Sequence, residues 1–305
     1  MSKNLTTLIS SATKTVEIGR DKRTIIIGER INPTGRKQVL AAFQAGDFEI
    51  ARTDALSQVD AGADMLDVNA GVPGADEPVL LTQVLKTVMA ATDVPLCIDT
   101  ADPQALAAAL ALYKGKALVN SCNGEERSLA AVLPVVKEFG AAVIGLCMDD
   151  EGIPETPEAR LKVAAKIIER AGRHGIPIED VVIDPLALTM GADSNAGHLA
   201  LQTIRLLVEE FGVNITMGAS NISFGMPDRA YINSAFVAMA IQAGMTCPIT
   251  NPLMTPVITA ILAADLSMGH DSYGQRWIKA YRKRQSQIPR TEAGSGIAGQ
   301  AAAAA

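Results

Sequence analysis

Aromatic rings are scarce in this chain of 305 residues: phenylalanine, tyrosine and tryptophan together make up 4%, with a single tryptophan. A surface that reads nucleic acid needs stacking rings and clustered basic charge, whereas the formal net charge here is −6. That combination excludes a nucleic-acid partner. The four cysteines (Cys97, Cys122, Cys147 and Cys247) lie far apart, without CxxC or any other metal-ligand spacing. They read as reduced thiols filling small core spaces, which places the chain in the cytoplasm and assigns it no bound metal. The three histidines, His174, His198 and His270, fall in predicted helices or loops and are expected at the surface. No Gly-rich dinucleotide turn follows the first apolar run, and no GxxxxGK[ST] occurs anywhere, so neither phosphate-cradling signature is present. No apolar run approaches the ~20 residues of a membrane span. The start, Met1-Ser2-Lys3-Asn4-Leu5-Thr6, lacks the apolar block of a secretory signal.

What is present is a 48% hydrophobic, 20% charged chain, long enough for one large α/β domain with a full core. One stretch sets the pattern: Val181-Val182-Ile183-Asp184-Pro185-Leu186, a short apolar run ending in a carboxylate and stopped by proline. Residues 95–99, 65–69 and 117–120 repeat it, ending in Asp99, Asn69 and Asn120. Continuously apolar runs separated by helical periodicity are the mark of buried parallel strands. Strands are expected at 24–28, 65–69, 95–99, 117–120, 142–146, 181–184, 215–219 and 247–250. Helices are expected at 36–45, 48–61, 77–91, 103–112, 129–139, 157–174, 196–211, 228–243, 255–267 and 273–283. Residues 1–20 are weakly patterned and read as a lead-in that adds at most one strand beneath the barrel. The Gly-, Ala- and Ser-rich tail, 285–305, reads as disordered. Eight strands alternating with helices predict a single (β/α)8 TIM barrel over 1–284, with its chemistry at the C-terminal rim of the strands.

Side chains alternate along a strand, so Asp67 with Asn69, Cys97 with Asp99, Leu118 with Asn120 and Val182 with Asp184 each share a face. Pointing into the barrel mouth, these carboxylates and amides, joined by Asn221, suit a ligand with adjacent N–H donors and a carbonyl, such as the 2-amino-4-oxo edge of a pterin. Carboxylates on a rim also suit a divalent metal with a phosphorylated substrate. Met148, just after the fifth strand, is a further candidate contact. Glu29 and Asn32 either contact substrate or pin the mouth together, and Asp67 and Asn69 stay open between ligand contact and turn or cap residue.

Six stretches carry a resemblance: Gly28-Glu29-Arg30-Ile31-Asn32, Leu66-Asp67-Val68-Asn69, Cys97-Ile98-Asp99, Val119-Asn120-Ser121, Ile183-Asp184-Pro185-Leu186 and Gly218-Ala219-Ser220-Asn221. In order and spacing the chain resembles the methyltetrahydrofolate:corrinoid-protein methyltransferases. These are pterin-binding barrels related to the folate module of cobalamin-dependent methionine synthase and, more distantly, to dihydropteroate synthase. The resemblance spans residues 24–284 and implies a dihydropteroate-synthase-like barrel. It implies methyl transfer between N5 of tetrahydrofolate and the cobalt of a corrinoid (cobalamin) carried by a partner protein, in one-carbon metabolism. It also implies that Asp99, Asn120 and Asp184 hold the pterin, that Asn221 is the catalytic contact near N5, and that Gly218, Ser220, Arg229 and Ile249 line the pocket. A homodimer is the family default, and either direction of transfer uses the same site. The stretch 222–227 departs from the acetogenic members. Two rivals remain. One is a dihydropteroate synthase, whose family carries a lysine where this chain has Asn221. The other is a non-catalytic folate-binding scaffold for a corrinoid protein.

Overall fold

The computed structural model describes residues 4–287. Seven parallel strands follow from the apolar runs: β3 (Ile27–Ile31), β4 (Met65–Asn69), β5 (Leu96–Asp99), β6 (Leu118–Asn123), β7 (Ala142–Leu146), β8 (Val181–Asp184) and β9 (Ile249–Thr250). They hydrogen-bond in the order β8-β7-β6-β5-β4-β3-β9. The ring closes through residues 215–218, where Ile215 bridges Ile183 and Gly218 bridges Ile249, both in parallel. The expected strand at 215–219 is thus reduced to two bridges. Its ladder is partly rewritten by hydroxyls: Thr246 Oγ1 accepts from Ile215 N at 3.1 Å, and Thr216 Oγ1 donates to Cys247 O at 2.6 Å. Side chains that bond the backbone in place of a neighbouring strand interrupt regular pairing. The first barrel strand also starts later than the apolar run, because Ile26 N bonds the Asp64 carboxylate at 3.0 Å instead of a neighbouring strand.

Among the described residues ten α-helices surround the sheet or pack on its helical layer: α1 (Lys37–Gln44), α2 (Glu49–Asp60), α3 (Glu77–Ala91), α4 (Pro103–Leu112), α5 (Glu126–Phe139), α6 (Pro157–Arg173), α7 (Ala196–Phe211), α8 (Arg229–Ala243), α9 (Thr255–Ser267) and α10 (Gln275–Gln287). Three of them announce their starts in sequence. Asp76, Asp102 and Thr156 cap α3, α4 and α6 by accepting from the first-turn amides, each with proline in that first turn. Helix α10 begins two residues later than the apolar pattern suggests, because the Asp271 carboxylate takes the amides of Arg276 and Trp277 at 3.0 and 2.9 Å. It continues through Gln287, past the expected domain end at 284. The rest of the tail expectation lies outside the described residues.

The core falls into two shells, as strand alternation requires. Leu66, Val68, Ile98, Val119, Val143 and Ile183 face the helices. Ile27, Met65, Cys97, Leu118, Ala142, Ile144, Val182, Cys247 and Ile249 fill the barrel interior. The lead-in is a hairpin, not a single strand: β1 (Thr7–Ser10) pairs antiparallel with β2 (Thr15–Ile18). Its Ile9, Val16 and Ile18 join the interior cluster and plug the barrel floor. Asn214 holds the plug, its Nδ2 donating to Thr7 Oγ1 and Ile18 O at 2.9 and 3.0 Å. With the floor closed by apolar side chains, polar groups at the strand ends have one way out, the opposite mouth.

Candidate active site

The mouth is built by register. Asp67 lies level with Cys97, Asn69 with Asp99, and Asp99 with Asn120, so one layer of the interior carries Asn69, Asp99 and Asn120 side by side. Across the barrel Leu146 pairs with Asp184, and Gly218 with Ile249. Asp67 sits two residues, one interior layer, deeper in the barrel and is 3% exposed. It works on its neighbours: Asn120 Nδ2 donates to Asp67 Oδ1 at 3.0 Å, and the Cys97 thiol bonds the same carboxylate. Asn69 is divided in the same way, with Oδ1 accepting from Gly71 N at 2.8 Å and its amide bonding Asp99. Asp67 and Asn69 therefore fix the orientations of Asn120 and Asp99.

The electrostatics of this layer are unusual for carboxylates. Burial drives the Asp184 carboxyl up from 3.8 to about 7, against the amides of Leu186 and Gly218, which favour its ionised form. Burial likewise raises Asp99 to about 6, opposed by the bond from Asn69 and reinforced by Glu77. Asp67 is pushed well above the carboxylate range, by burial first and by Asp99 next. Desolvated carboxyls with no cation in contact are short of N–H donors, and a ligand that brings such donors relieves the deficit.

On the other side of the mouth the chain after Gly218 turns through a short 3₁₀ helix, Ala219–Ser223. Asn221 is exposed there, its amide folded against Gly218, where an added Cβ would lie 2.8 Å from Asn221 Nδ2. The turn is anchored twice. Ser220 Oγ donates to Glu29 Oε1 at 2.8 Å, and Arg229 donates to Ser220 O and Ser223 Oγ at 2.7 and 3.0 Å. Arg229 thus spends its donors on the loop beside Asn221, with its guanidinium 5.8 Å from the Phe224 ring. Burial also raises the Glu29 carboxyl, offset by Ser220 and the charges of Arg30 and Arg229. Asn32 uses its Oδ1 to accept from Thr34 N at 2.8 Å, a turn contact. Met148 is half-buried, and its carbonyl accepts from Gly124 N at 2.7 Å, tying the ends of β6 and β7 together.

Sequence reasoning missed Arg160, which is 1% exposed and belongs to the buried stripe of α6 with Val163, Ala164, Ile167 and Ala171. An arginine inside an otherwise apolar helical stripe is the signal that would have found it. It also misplaced His270, which sits half-buried at the opposite end of the barrel, 3.8 Å from the buried Asp265. Asp265 itself accepts from Thr24 N and Oγ1 and from Arg276 Nη1. All four cysteines are buried and free. Among the described residues no helix is long and apolar enough to cross a membrane, and no three His, Cys, Asp or Glu side chains come together to hold a metal ion.

Comparison with known proteins bears on the family and the fold. The family described as pterin binding enzyme matches residues 28–251. A methylcorrinoid:tetrahydrofolate methyltransferase of Eubacterium limosum is 31% identical over 267 residues, covering 85% of this chain and 96% of that protein. The methionine synthase of Mycobacterium tuberculosis is 28% identical over 256 residues, which is 80% of this chain but 22% of that larger protein. Among solved structures, dihydropteroate synthase of Xanthomonas albilineans in complex with 7,8-dihydropteroate superposes with a TM-score of 0.64 at 22% identity, over 85% of this chain and 98% of that one. That likeness bears on the fold, a TIM-barrel-like arrangement. The six stretches in register, the extent of the family match and the 31% identity lead to one assignment: the chain belongs to the pterin binding enzymes, among the methyltetrahydrofolate:corrinoid-protein methyltransferases.

Proposed function

We propose that the protein moves a methyl group between N5 of tetrahydrofolate and the cobalt of a corrinoid carried by a partner protein, with the pterin held in the barrel mouth. The observation that carries this reading is the layer of desolvated carboxyls, Asp99 near 6 and Asp184 near 7, flanking an oriented Asn120 amide. Asp99 and Asp184 accept from the pterin's ring and amino N–H groups. Asn120 gives one N–H to Asp67 and keeps its second for the 4-oxo group. Gly218, Ser220, Arg229, Ile249 and Met148 complete the pocket wall, with Glu29 and Asn32 at its edge.

In the forward sense the N5–CH3 bond breaks, the methyl group passes to cobalt, and the electron pair left on N5 takes a proton. The reduced corrinoid supplies the nucleophile. The task of this chain is to hold the pterin still and to meet the developing charge on N5, because a neutral amine leaves poorly without a proton or strong hydrogen bond. Asn221 is assigned that contact, and its exposure leaves water free to deliver the proton. The same reading names a corrinoid protein as partner and a homodimer as the assembly.

The test mixes the protein with methyltetrahydrofolate and chemically reduced cob(I)alamin and follows the visible spectrum. The expected result is protein-dependent loss of the Co(I) band as methylcobalamin grows. Tight tetrahydrofolate binding without transfer to any corrinoid protein would leave only a scaffold, and condensation of a pterin diphosphate with p-aminobenzoate would make the protein a dihydropteroate synthase. Absence of folate binding would refute the site.

A further inference from the structure

We infer that Arg160 is a positioning residue for Asp184, acting from the helical layer through the turn that follows β8. This rests on the pterin reading of the mouth, though its evidence lies in the protein itself. Arg160 reaches inward from the first turns of α6, where it is sealed from solvent. All three of its hydrogen bonds go to main-chain carbonyls: Nε to Pro154 at 2.9 Å, and Nη1 to Pro185 at 2.7 Å and Leu186 at 2.9 Å.

Those last two carbonyls belong to the residues immediately after Asp184. Leu186 has φ +67°, the left-handed region that a branched side chain avoids. Leu186 N turns back to Asp184 Oδ1, at 2.7 Å, and in this conformation the Leu186 carbonyl converges with that of Pro185 on one guanidinium nitrogen. Proline at 185 offers no amide that would compete. Arg160 therefore supplies the N–H donors to the turn's carbonyls that keep a disfavoured turn closed, and the closed turn aims the carboxylate. The third bond extends the clamp to the loop between β7 and α6, so two loops of the mouth are tied through one buried side chain.

The charge matters as well as the geometry. Asp184 is faced by Arg160 from α6, the Cys147 thiol after β7, the Cys247 thiol before β9, and the amides of Leu186 and Gly218. Arg160 is the one cation in this set, and its field favours the ionised carboxylate that would accept from a ligand N–H. Removing the charge leaves burial less opposed, so the carboxyl holds its proton to higher pH.

The experiment uses Arg160→Met and Arg160→Lys in the full chain. Two quantities are read: tetrahydrofolate affinity from pH 6 to 9, and the titration midpoint of the Asp184 carboxyl in the ligand-free protein, by carbon-13 NMR of labelled aspartate. In Arg160→Met the midpoint should move up, and affinity at pH 7 should fall about fivefold for the first unit of that movement and roughly tenfold for each further unit, with the deficit closing as pH rises. Arg160→Lys, which keeps the charge without the forked donors, should hold the midpoint near that of the wild type. An Arg160→Met protein with an unmoved midpoint, or an affinity loss equal at every pH, would reduce Arg160 to a structural residue and overturn the inference. If Arg160→Met does not fold, a wild-type midpoint in Arg160→Lys supports the field effect, and a raised one refutes it. Failure of the wild type to bind tetrahydrofolate would defeat the pterin reading, while the ligand-free titration would still decide the role of Arg160.

Discussion

Replacing Asp184 by asparagine should change how the stability of the ligand-free protein depends on pH. The Asp184 carboxyl sits at about 7 in the folded chain against 3.8 when free. A carboxyl whose folded value is raised favours folding while protonated. That contribution is complete below about pH 4, falls as pH rises, and is gone once pH passes the folded value near 7. At about 1.4 kcal/mol per unit the whole contribution is of order 4 kcal/mol, and about 3 kcal/mol of it disappears between pH 5 and 8. Asparagine has nearly the same shape and still offers Oδ1 to Leu186 N, which lies 2.7 Å from the aspartate oxygen, but it does not titrate. Other buried carboxyls such as Asp67 and Asp99 titrate in both proteins and cancel in the comparison. Urea denaturation at the two pH values should therefore show the wild type losing about 3 kcal/mol more than the variant, a relative midpoint shift of about 1 M for an m-value near 3 kcal/mol/M. The variant should also bind tetrahydrofolate more weakly at pH 8, where the wild-type carboxylate is ionised. Parallel stability profiles would refute the claim that the mouth holds an ionising, desolvated carboxyl at this position.

Four further outcomes follow from named contacts. Asn221→Ala should keep tetrahydrofolate affinity within about tenfold while lowering the rate of methyl transfer much more, the signature of a contact used mainly in the transition state; equal losses in binding and rate would remove Asn221 from catalysis. Gly218→Ala places a Cβ 2.8 Å from Asn221 Nδ2, so it should displace that amide and slow transfer with a melting temperature changed by no more than about 4 °C; an unaffected rate would show that the amide's position is irrelevant. Ile9→Ala, in the plug beneath the barrel, should cost about 2–5 kcal/mol in chemical denaturation, and a loss below 1 kcal/mol would mean the hairpin does not seal the floor. Asp265→Ala strands Arg276 and the amide of Thr24, and should cost about 3–5 kcal/mol with folate affinity unchanged; a selective loss of affinity would tie this distant cluster to the mouth.

Much of the architecture can be read without coordinates. Short apolar runs ending in Asp or Asn, separated by helical periodicity, specify parallel strands with polar ends, because an apolar segment of that length is stable only when buried on both faces. Strands β4, β7 and β8, and helices α3, α4, α7 and α9, begin and end where composition and capping place them. In the segment 215–219 and in the lead-in, where the chain departs from the local signal, partners distant in sequence are responsible. The segment 215–219 has the makings of a strand, but hydroxyls of Thr216 and Thr246 take over part of its ladder. Residues 7–18 look featureless alone and become a hairpin only over the apolar floor of a barrel.

The mouth divides along the same line. Alternation along the strands places Asp67, Asn69, Asp99, Asn120 and Asp184 on the interior faces, since every second side chain of a pleated strand points the same way. Which of them faces a ligand and which supports a neighbour depends on register between strands, and register is a property of the sheet. It sets Asp67 one layer down beneath Asn120, and Asn69 against Asp99. Burial is likewise collective: the raised values at Asp99 and Asp184 come from water excluded by the whole barrel. Arg160 precedes Pro185 by 25 residues and reaches the carbonyls that follow Asp184 because α6 packs beside β8. The sequence by itself thus determined the fold and the chemistry at the strand ends, through periodicities that are local. Only the tertiary structure decided orientation, ionisation and support, because each of those is set by groups that packing, not chain order, makes neighbours.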